Sequence, residues 1–355
     1  MSDMSNGQPG GGSGAYDAFP GAGIPAAVPM PTPNVPVRTG LTVQMLAEQI
    51  TAQMHKAIVG QDELVEMMIV AVLAGGHILL EGVPGTAKTL SVRTLARIFD
   101  VSFARIQFTP DLMPSDILGT SIFDPRTQEF SLKKGPIFAG LVLADEVNRT
   151  PPKTQSALLE AMEERRVTID GIPNALPEPF LVCATQNPIE YEGTYPLPEA
   201  QLDRFMLKVN VGYPAQAEEE NILAKVQSGF RAQNLDTAAI QPVLTGSDMP
   251  YYRSLIERVR VDPSVMRYIV QIARATRENR NLLLGASPRA AITLLNTTKA
   301  LAAIRGRDFV TPDDVKTMAR PVLRHRMVMR PEAEIEGYTS DRIVDTVLQG
   351  VEVPR

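Results

Sequence analysis

The chain has very little cysteine and no apolar stretch of membrane-spanning length. Cys183 is its only cysteine, so an intrachain disulfide is impossible and a reducing compartment is expected. The longest apolar stretch, 67–80, is interrupted by Gly75, Gly76 and His77 and is too short to cross a bilayer. No basic segment followed by an apolar one opens the chain, so no secretory signal is expected. We therefore expect a cytoplasmic protein without membrane insertion, with Cys183 as a small buried apolar residue.

An excess of charge of one sign is also missing. The 35 Lys and Arg residues are nearly balanced by 40 Asp and Glu residues, which leaves a net charge of −5 at pH 7. A protein that coats nucleic acid or an anionic membrane is usually basic. We therefore expect no nucleic-acid partner from the average surface, although a basic pore inside an assembly would not change that average.

The chain is long and apolar enough for two domains with cores of their own. It has 355 residues, of which 44% are hydrophobic, and this length exceeds that of a typical single domain. Residues 1–37 are instead rich in Gly, Pro, Ala and Ser. Such a segment cannot bury enough apolar surface to offset its ordering entropy. We expect it to form a disordered arm.

Strand-like and helical patterns alternate in the first part of the remaining chain. Apolar residues recur at helical spacing over 41–74, with a break at 59–62 between two helices. The predicted strands that follow are 77–81, 103–108, 140–144, 180–184 and 205–211. Helical patterns between several of them are typical of an α/β fold with a mainly parallel sheet, here five-stranded. We predict that this α/β core spans residues 38–213.

Beyond Pro214 the pattern is helical. One helix has a clear start at Thr311, which precedes Pro312 and two acidic residues. A threonine N-cap, proline at the first helical position and acids in the first turn together favour a helix N-terminus. We predict an all-α second domain over 214–355.

A glycine-rich loop follows the first predicted strand. Its residues are Gly82, Val83, Pro84, Gly85, Thr86, Ala87, Lys88 and Thr89, followed by Leu90. The backbone N–H groups of such a loop can bind a β-phosphate, Lys88 can reach the β and γ oxygens, and the Thr89 hydroxyl can ligate Mg²⁺. Ala87 stands where the general pattern has its last glycine, and a plain turn is the alternative interpretation. We expect the loop to bind ATP or GTP.

Two adjacent carboxylates end the strand at 140–144. Asp145 can hold Mg²⁺ through water, and Glu146 can orient and deprotonate the water that attacks the γ-phosphate. An apolar strand that ends in Asp-Glu is equally compatible with a solvated turn. Downstream of a phosphate-binding loop, the pair favours a metal and general-base site.

Three further polar residues are candidates for the same site. Asn187 follows the next strand and can hydrogen-bond the attacking water or the γ-phosphate, but an Asn before proline is also an ordinary turn residue. Arg204 can act on phosphate or form a surface ion pair with Asp203. Arg289, at a helix start, can clamp phosphate oxygens or face solvent.

The order of these segments resembles the MoxR group of AAA+ ATPases. The resemblance covers Leu41 to Arg355, and an alanine in the phosphate loop is usual in that group. The stretches that carry it are 107–116, 134–138, 143–149, 151–162, 184–188, 199–205 and 306–314.

The resemblance implies a role for each matching residue. Lys88 and Thr89 correspond to the phosphate and Mg²⁺ residues, Asp145 to the second Mg²⁺ residue, and Glu146 to the general base. Asn187 corresponds to the first sensor of the bound nucleotide.

The remaining correspondences concern the two arginines and the adenine. Arg204 corresponds to an arginine finger that acts on the neighbouring subunit's ATP, with Arg149 and Arg165 as alternatives. Arg289 corresponds to the second sensor, contributed by the helical lid. Val59, Gly60 and Gln61 match the stretch beside the adenine. Segments 111–138 and 166–179 resemble two insertions that typically face a substrate or a pore.

The activity implied by this resemblance is Mg²⁺-dependent ATP hydrolysis by a homo-oligomeric ring, expected to be a hexamer, that remodels or matures a protein client. The resemblance further suggests a client with a von Willebrand factor A domain and a role in metal-cofactor insertion. Alternatives are a chelatase-type motor subunit, a nucleic-acid motor, and a nucleotide-gated scaffold with little hydrolysis.

Overall fold

The structure is a computed structural model that describes residues 40–188 and 193–354. The expected arm over 1–37 lies outside the described residues. The strands are β1 (His77–Gly82), β2 (Phe103–Gln107), β3 (Gly119–Asp124), β4 (Glu129–Lys134), β5 (Leu141–Asp145), β6 (Arg166–Ile169), β7 (Ile172–Ala175), β8 (Leu181–Gln186), β9 (Phe205–Val211), β10 (Leu282–Leu284) and β11 (Val328–Met329). The α-helices are α1 (Val43–Ala57), α2 (Asp62–Ala74), α3 (Lys88–Ile98), α4 (Pro114–Leu118), α5 (Pro152–Glu164), α6 (Glu199–Leu202), α7 (Gln216–Gln227), α8 (Met249–Glu257), α9 (Pro263–Arg277), α10 (Pro288–Ile304), α11 (Pro312–Leu323), α12 (Pro331–Ile335) and α13 (Ser340–Gly350).

A parallel five-stranded sheet organises the first part of the chain, as predicted. Its strand order is β2-β5-β8-β1-β9, and every neighbouring pair is parallel. The carboxyl ends of all strands therefore meet at one edge. We call the ends of β1, β5 and β8, at Gly82, Asp145 and Gln186, the carboxyl edge. The starts of β1, β8 and β9, at His77, Leu181 and Phe205, are the amino edge.

Alternation along the strands gives the sheet two apolar faces. Ile78 and Leu80 face a core built with α1, α2 and α3, whereas Leu79 faces a second core built with α5. The central strands β5 and β8 are apolar on both faces because both are covered by helices. Cys183 lies in the first core, as expected, and burial raises the pKa of its thiol to about 12.

Two antiparallel hairpins project from this core within the predicted insertions. β3 and β4 pair from Gly119 with Lys134 to Asp124 with Glu129. β6 and β7 form the shorter hairpin in 166–179. Each hairpin is a local addition that leaves the order of the central strands intact.

The region after Pro214 is built mainly of helices α7 to α13, as predicted. Thr311 caps α11 through a hydrogen bond that its side chain accepts from the Asp314 backbone, with Pro312 at the first helical position. The sequence did not indicate the antiparallel pair β10 and β11. Strands of three and two residues are too short for a periodic signal. Among the described residues, no helix is long and apolar enough to span a bilayer.

Candidate functional site

The glycine-rich loop connects the end of β1 to the start of α3 at the carboxyl edge. α3 begins at Lys88, so the free N–H groups of its first turn open toward the loop. Gly85 has φ +85°, and Ala87 has φ +60° in the left-handed region. Alanine is strained in that region, which explains why the general pattern has a glycine at position 87. At position 87 the loop therefore has a backbone conformation that glycine would adopt without this strain.

Lys88 folds back onto the loop that carries it. Its Nζ donates hydrogen bonds to the carbonyl oxygens of Gly82 and Val83, at 2.6 Å and 2.7 Å. Burial lowers the pKa of Lys88, whereas the carboxylates of Asp145 and Glu146 act in the opposite direction. The ammonium group is thus held at the mouth of the loop, close to where phosphate oxygens would bind.

Asp145 is buried at the end of β5 and is held by two neighbouring strands. Arg105 of β2 donates from Nε and from one terminal nitrogen to Oδ2, at 2.9 Å and 2.7 Å. The Thr185 hydroxyl of β8 donates to Oδ1 at 2.6 Å. Because β5 lies between β2 and β8 in the sheet, Arg105 reaches the carboxylate from one neighbouring strand and Thr185 from the other. The carboxylate is therefore fixed in position beside the phosphate loop.

Glu146 adopts a left-handed backbone conformation, with φ +57°. Its backbone N–H donates to the Thr185 hydroxyl at 2.8 Å. Its Oε2 accepts hydrogen bonds from the Gln107 amide at 2.8 Å and from Arg149 at 3.1 Å. Non-glycine residues in this region are uncommon and occur often at functional sites. Two side-chain donors therefore converge on one oxygen of the Glu146 carboxylate.

A cavity of about 480 Å³ surrounds these groups, and its volume falls within the usual range for a nucleotide-sized ligand. The predicted residues that line it are Val59, Gln61, Gly82, Pro84, Gly85, Thr86, Ala87, Lys88, Thr89, Leu90, Asp145, Glu146 and Asn187. The structure thus brings most of the predicted site residues together around one space. Val83 and Gly60 lie outside this lining, although Val83 offers its carbonyl to Lys88.

The predicted adenine stretch joins the core to the helical region. Gln61 donates from its side-chain amide to the Gly212 carbonyl at 3.0 Å. Gly60 has φ +62°, and a side chain there would collide with the carboxylate of Glu218 in α7. Gly60 and Gln61 therefore lie where α7 and the segment before it approach the cavity.

The apolar part of the cavity was not predicted. It comes largely from the end of α1, from Pro214 and from α7 with the segment after it. Its apolar lining residues are Ala57, Ile58, Pro214, Ile222, Val226, Phe230 and Ala232, and Lys225 lines the cavity beside them. The sequence signal that could have revealed them is an apolar pair at helical spacing, Ile222 and Val226, on a helix that is largely polar. They provide a surface suited to a flat base.

Arg204 and Arg289 do not line the cavity. Arg204 immediately precedes β9 at the amino edge, and its Nε lies 3.1 Å from Glu163 Oε2. Arg289 of α10 donates to the other oxygen of Glu163 at 3.4 Å. Glu163 at the end of α5 therefore joins the two predicted phosphate-binding arginines into one cluster, opposite the glycine-rich loop.

The two alternative arginines occupy different places. Arg149 lies at the carboxyl edge and pairs with Glu146 at 3.1 Å. Arg165 lies at the amino edge, where it donates to the backbone carbonyls of Phe180 and Gly75. Only Arg149 reaches the cavity residues directly.

Residues 77–207 match the ATPase family associated with various cellular activities (AAA), and residues 274–347 match the AAA lid domain. The uncharacterized protein YeaC of Bacillus subtilis is 47% identical over 300 residues, which cover 84% of this chain and 92% of YeaC. Chaperone MoxR1 of Mycobacterium tuberculosis is 44% identical over 317 residues, which cover 87% of this chain and 82% of MoxR1.

The fold has a similarly close counterpart among solved structures. A crystal structure of a proposed ATPase from Cytophaga hutchinsonii is 43% identical to this chain and superposes with a TM-score of 0.81. The alignment covers 88% of this chain and 96% of that protein. The likeness therefore extends over both the sheet and the helical region.

Proposed function

The chain belongs to the MoxR family of AAA+ ATPases and hydrolyses ATP, and we propose that it does so as a ring whose ATP sites are each shared by two subunits. One subunit supplies the phosphate loop, the carboxylates and the surface for the base. The neighbouring subunit supplies Arg204 and Arg289. The observation that carries this proposal is the joining of these two arginines at the amino edge, away from their own chain's cavity.

The cavity residues suit a Mg²⁺-nucleotide. Thr89 contributes a hydroxyl oxygen and Asp145 a carboxylate oxygen to the same space, and Mg²⁺ prefers a few such oxygen ligands completed by phosphates and water. When bound there, Mg²⁺ would neutralise charge on the β- and γ-phosphates. The roles we assign to Lys88 and the loop N–H groups are to bind and orient the phosphates.

Glu146 is the proposed general base. Its carboxylate would accept a proton from the water that attacks the γ-phosphate, while Gln107 and Arg149 hold it in place. Asn187, which lines the cavity from the next strand, would orient the same water or the γ-phosphate. The bond that breaks is the one between the γ-phosphorus and the β,γ-bridging oxygen, which leaves ADP and phosphate.

Geometry within one chain argues for an arginine from a neighbour. Phe205 pairs with His77 at the start of β1, whereas the phosphate loop begins at the other end of that strand. Five residue steps of strand span roughly 16 Å, which exceeds the reach of an extended arginine side chain. Arg204 therefore fits a γ-phosphate on another subunit, where it would stabilise charge that develops in the transition state.

Mixing two inactive variants tests this shared site. Arg204→Ala keeps an intact phosphate loop, and Lys88→Ala keeps an intact Arg204. A mixed ring would contain sites that combine both, so mixing should restore part of the ATPase activity that each variant lacks alone. No recovery, despite subunit exchange demonstrated with fluorescently labelled proteins, would contradict the shared site.

The work done by the ring is proposed to be remodelling of a protein client. The resemblance to the MoxR family favours a client with a von Willebrand factor A domain and a role in maturation or metal-cofactor insertion, and a hexamer is the ring size we expect. Glu146→Gln should trap the ATP-bound ring with its client, which mass spectrometry of the complex purified from the native cell would identify. A trapped complex enriched in DNA would instead favour a nucleic-acid motor.

A further inference from the structure

Arg326, just beyond α11 in the helical region, reaches the strand that follows the proposed finger. Its side chain is only 2% exposed. Nε donates to Asp203 Oδ1 at 2.6 Å, and one terminal nitrogen donates to the Phe205 carbonyl at 2.6 Å and the Asp203 carbonyl at 3.2 Å. The other terminal nitrogen donates to the carbonyls of Met206 at 3.1 Å and Val322 at 2.6 Å. Four of these five bonds go to residues on either side of Arg204.

A buried guanidinium with this many partners holds the groups that accept its hydrogen bonds in a fixed position. Removing a charge from water is costly unless partners satisfy it, and here the planar fork of five donors is satisfied by acceptors in a fixed arrangement. His325 adds a hydrogen bond at 2.9 Å between its Nε2 and the Phe205 carbonyl. The backbone around Arg204 is therefore bound by the end of α11 rather than by the core alone.

Asp203 also connects Arg326 to Arg289, the second of the two arginines at the amino edge. The Oδ2 atom of Asp203 lies 3.9 Å from Arg289 Nε, and Asp203 Oδ1 is held by Arg326. Arg289 in turn shares Glu163 with Arg204. Two carboxylates, Asp203 and Glu163, thus link three arginines. Arg326 is buried, Arg204 is partly buried and Arg289 is exposed.

We propose that Arg326 is a positioning residue that fixes Arg204 and Arg289 for the neighbouring subunit's ATP. This proposal rests on the proposed function, because it requires the two arginines to act across the subunit boundary. It adds that the helical region controls hydrolysis at the neighbour's site through Asp203. A shift of the end of α11 would then change the finger of the same subunit without altering the nucleotide bound to that subunit.

Steady-state kinetics of Arg326→Lys and Asp203→Asn provide the first test. Lysine keeps the charge but loses the fork, and Asn keeps the size of Asp203 but loses its charge. Displacing a positioned group by about 1 Å can cost up to roughly 10²-fold in rate, so we expect kcat to fall about 10-fold or more while KM for ATP stays within about 2-fold. Wild-type kcat in both variants would overturn the proposal.

The matched control is Arg307→Lys. Arg307 pairs with the buried Asp314 near the other end of α11, with two bonds of 2.6 Å, and its contacts lie away from residues 203–206. It should lower the melting temperature of the ring without lowering kcat at 25 °C. A similar loss of kcat in this control would show that any weakening of α11 reduces activity, and the proposal would fail.

Mixing experiments then decide on which side of the boundary Arg326 acts. Mixed with Lys88→Ala, the Arg326→Lys variant should regain activity, because its intact phosphate loop meets an intact finger. Mixed with Arg204→Ala, it should not. Recovery with Arg204→Ala instead would place the defect in the variant's own ATP cavity and overturn the proposal.

Two remaining outcomes are also decisive. In the first, Arg326→Lys recovers activity with neither partner, although Arg204→Ala and Lys88→Ala still complement each other. Arg326 would then support the whole subunit, so its positioning role would be rejected while the shared site would stand. If Arg204→Ala and Lys88→Ala fail to complement each other despite subunit exchange, the shared site itself fails and this inference falls with it. If Arg326→Lys does not fold, the same mixtures are made with Asp203→Asn.

Discussion

The carboxyl and amino edges of the central sheet both concentrate charged side chains, but they hold them in different ways. At the carboxyl edge, Lys88 donates hydrogen bonds to two loop carbonyls, and Asp145 and Glu146 line an open cavity. At the amino edge, Arg204 and Arg289 share Glu163 on the surface. The first edge is arranged to bind a nucleotide, whereas the second presents positive charge outward. The proposed shared site requires this difference in each chain, with a nucleotide cavity at one edge and two arginines at the other.

The largest expected difference between the edges is in nucleotide binding. Lys88→Ala should abolish binding of a fluorescent ATP analogue, because it removes the ammonium group from the phosphate site. Arg204→Ala should bind the analogue normally yet lose roughly 10³-fold in kcat, as for other arginine fingers. Arg165→Ala tests the alternative finger at the same edge and should retain kcat if Arg204 is the finger. Loss of binding in Arg204→Ala would contradict the claim that only the carboxyl edge binds the chain's own nucleotide.

At the carboxyl edge, the proposed catalytic role of Glu146 can be separated from nucleotide binding. Glu146→Gln should keep ATP bound while turnover falls by roughly 10²-fold or more, because the positioned base is lost. Binding is measured by equilibrium dialysis, and turnover by phosphate release. If Glu146→Gln hydrolyses ATP at the wild-type rate, Glu146 is not the base.

A smaller effect concerns His77 at the amino edge, which is neutral in the folded protein. The Val182 N–H donates to its Nδ1, and its Nε2 donates to the Met162 carbonyl. Burial, with a smaller contribution from Arg165, lowers the pKa of His77 to about 3. Below its ordinary pKa of 6.5 the unfolded chain binds a proton that the folded chain does not, so stability present above pH 6.5 is lost as pH falls toward 3.

Urea unfolding between pH 7 and pH 4 measures this loss. His77 should contribute a slope of about 1 kcal/mol per pH unit in that interval. His325, whose pKa burial also lowers, acts in the same direction, so the comparison with His77→Gln isolates the first residue. An equal slope in His77→Gln would show that His77 titrates normally in the folded chain.

The smallest predicted effect tests the strain in the phosphate loop. Ala87→Gly should raise the free energy of unfolding by about 0.5–1 kcal/mol, because glycine adopts φ +60° without the penalty that alanine carries. ATP turnover should be retained. Ala87→Val is the matched change in the opposite direction and should lower stability. A stability loss in Ala87→Gly would mean that the loop gains nothing from relief of this strain.

Sequence patterns sufficed for parts of the fold that depend on local signals. Each predicted strand of the central sheet is present within about a residue or two of its expected bounds, and Thr311 caps its helix. The residues around the cavity could be predicted because the carboxyl ends of parallel strands meet at one edge. Lys88, Asp145 and Asn187 could therefore be grouped from the sequence alone.

Other contacts depend on tertiary placement and left no local signal. Arg105 and Gln107 orient the two carboxylates only because β2 and β5 are neighbours in the sheet, although a helix and a hairpin separate them in sequence. The lining by α7 requires that helix to pack over the cavity. The link between Arg326 and Asp203 joins residues 123 positions apart. Such pairs follow from the order of the strands in the sheet and from how the helical region docks, and periodicity encodes neither.

Cryo-electron microscopy of Glu146→Gln with ATP and Mg²⁺ tests the shared site most directly. We expect a closed ring in which Arg204 and Arg289 of one subunit lie within about 3 Å of the γ-phosphate held by Lys88 of the next. This expectation would be contradicted by an ATP-bound ring in which the γ-phosphate is contacted only by its own chain, with Arg204 still paired to Glu163.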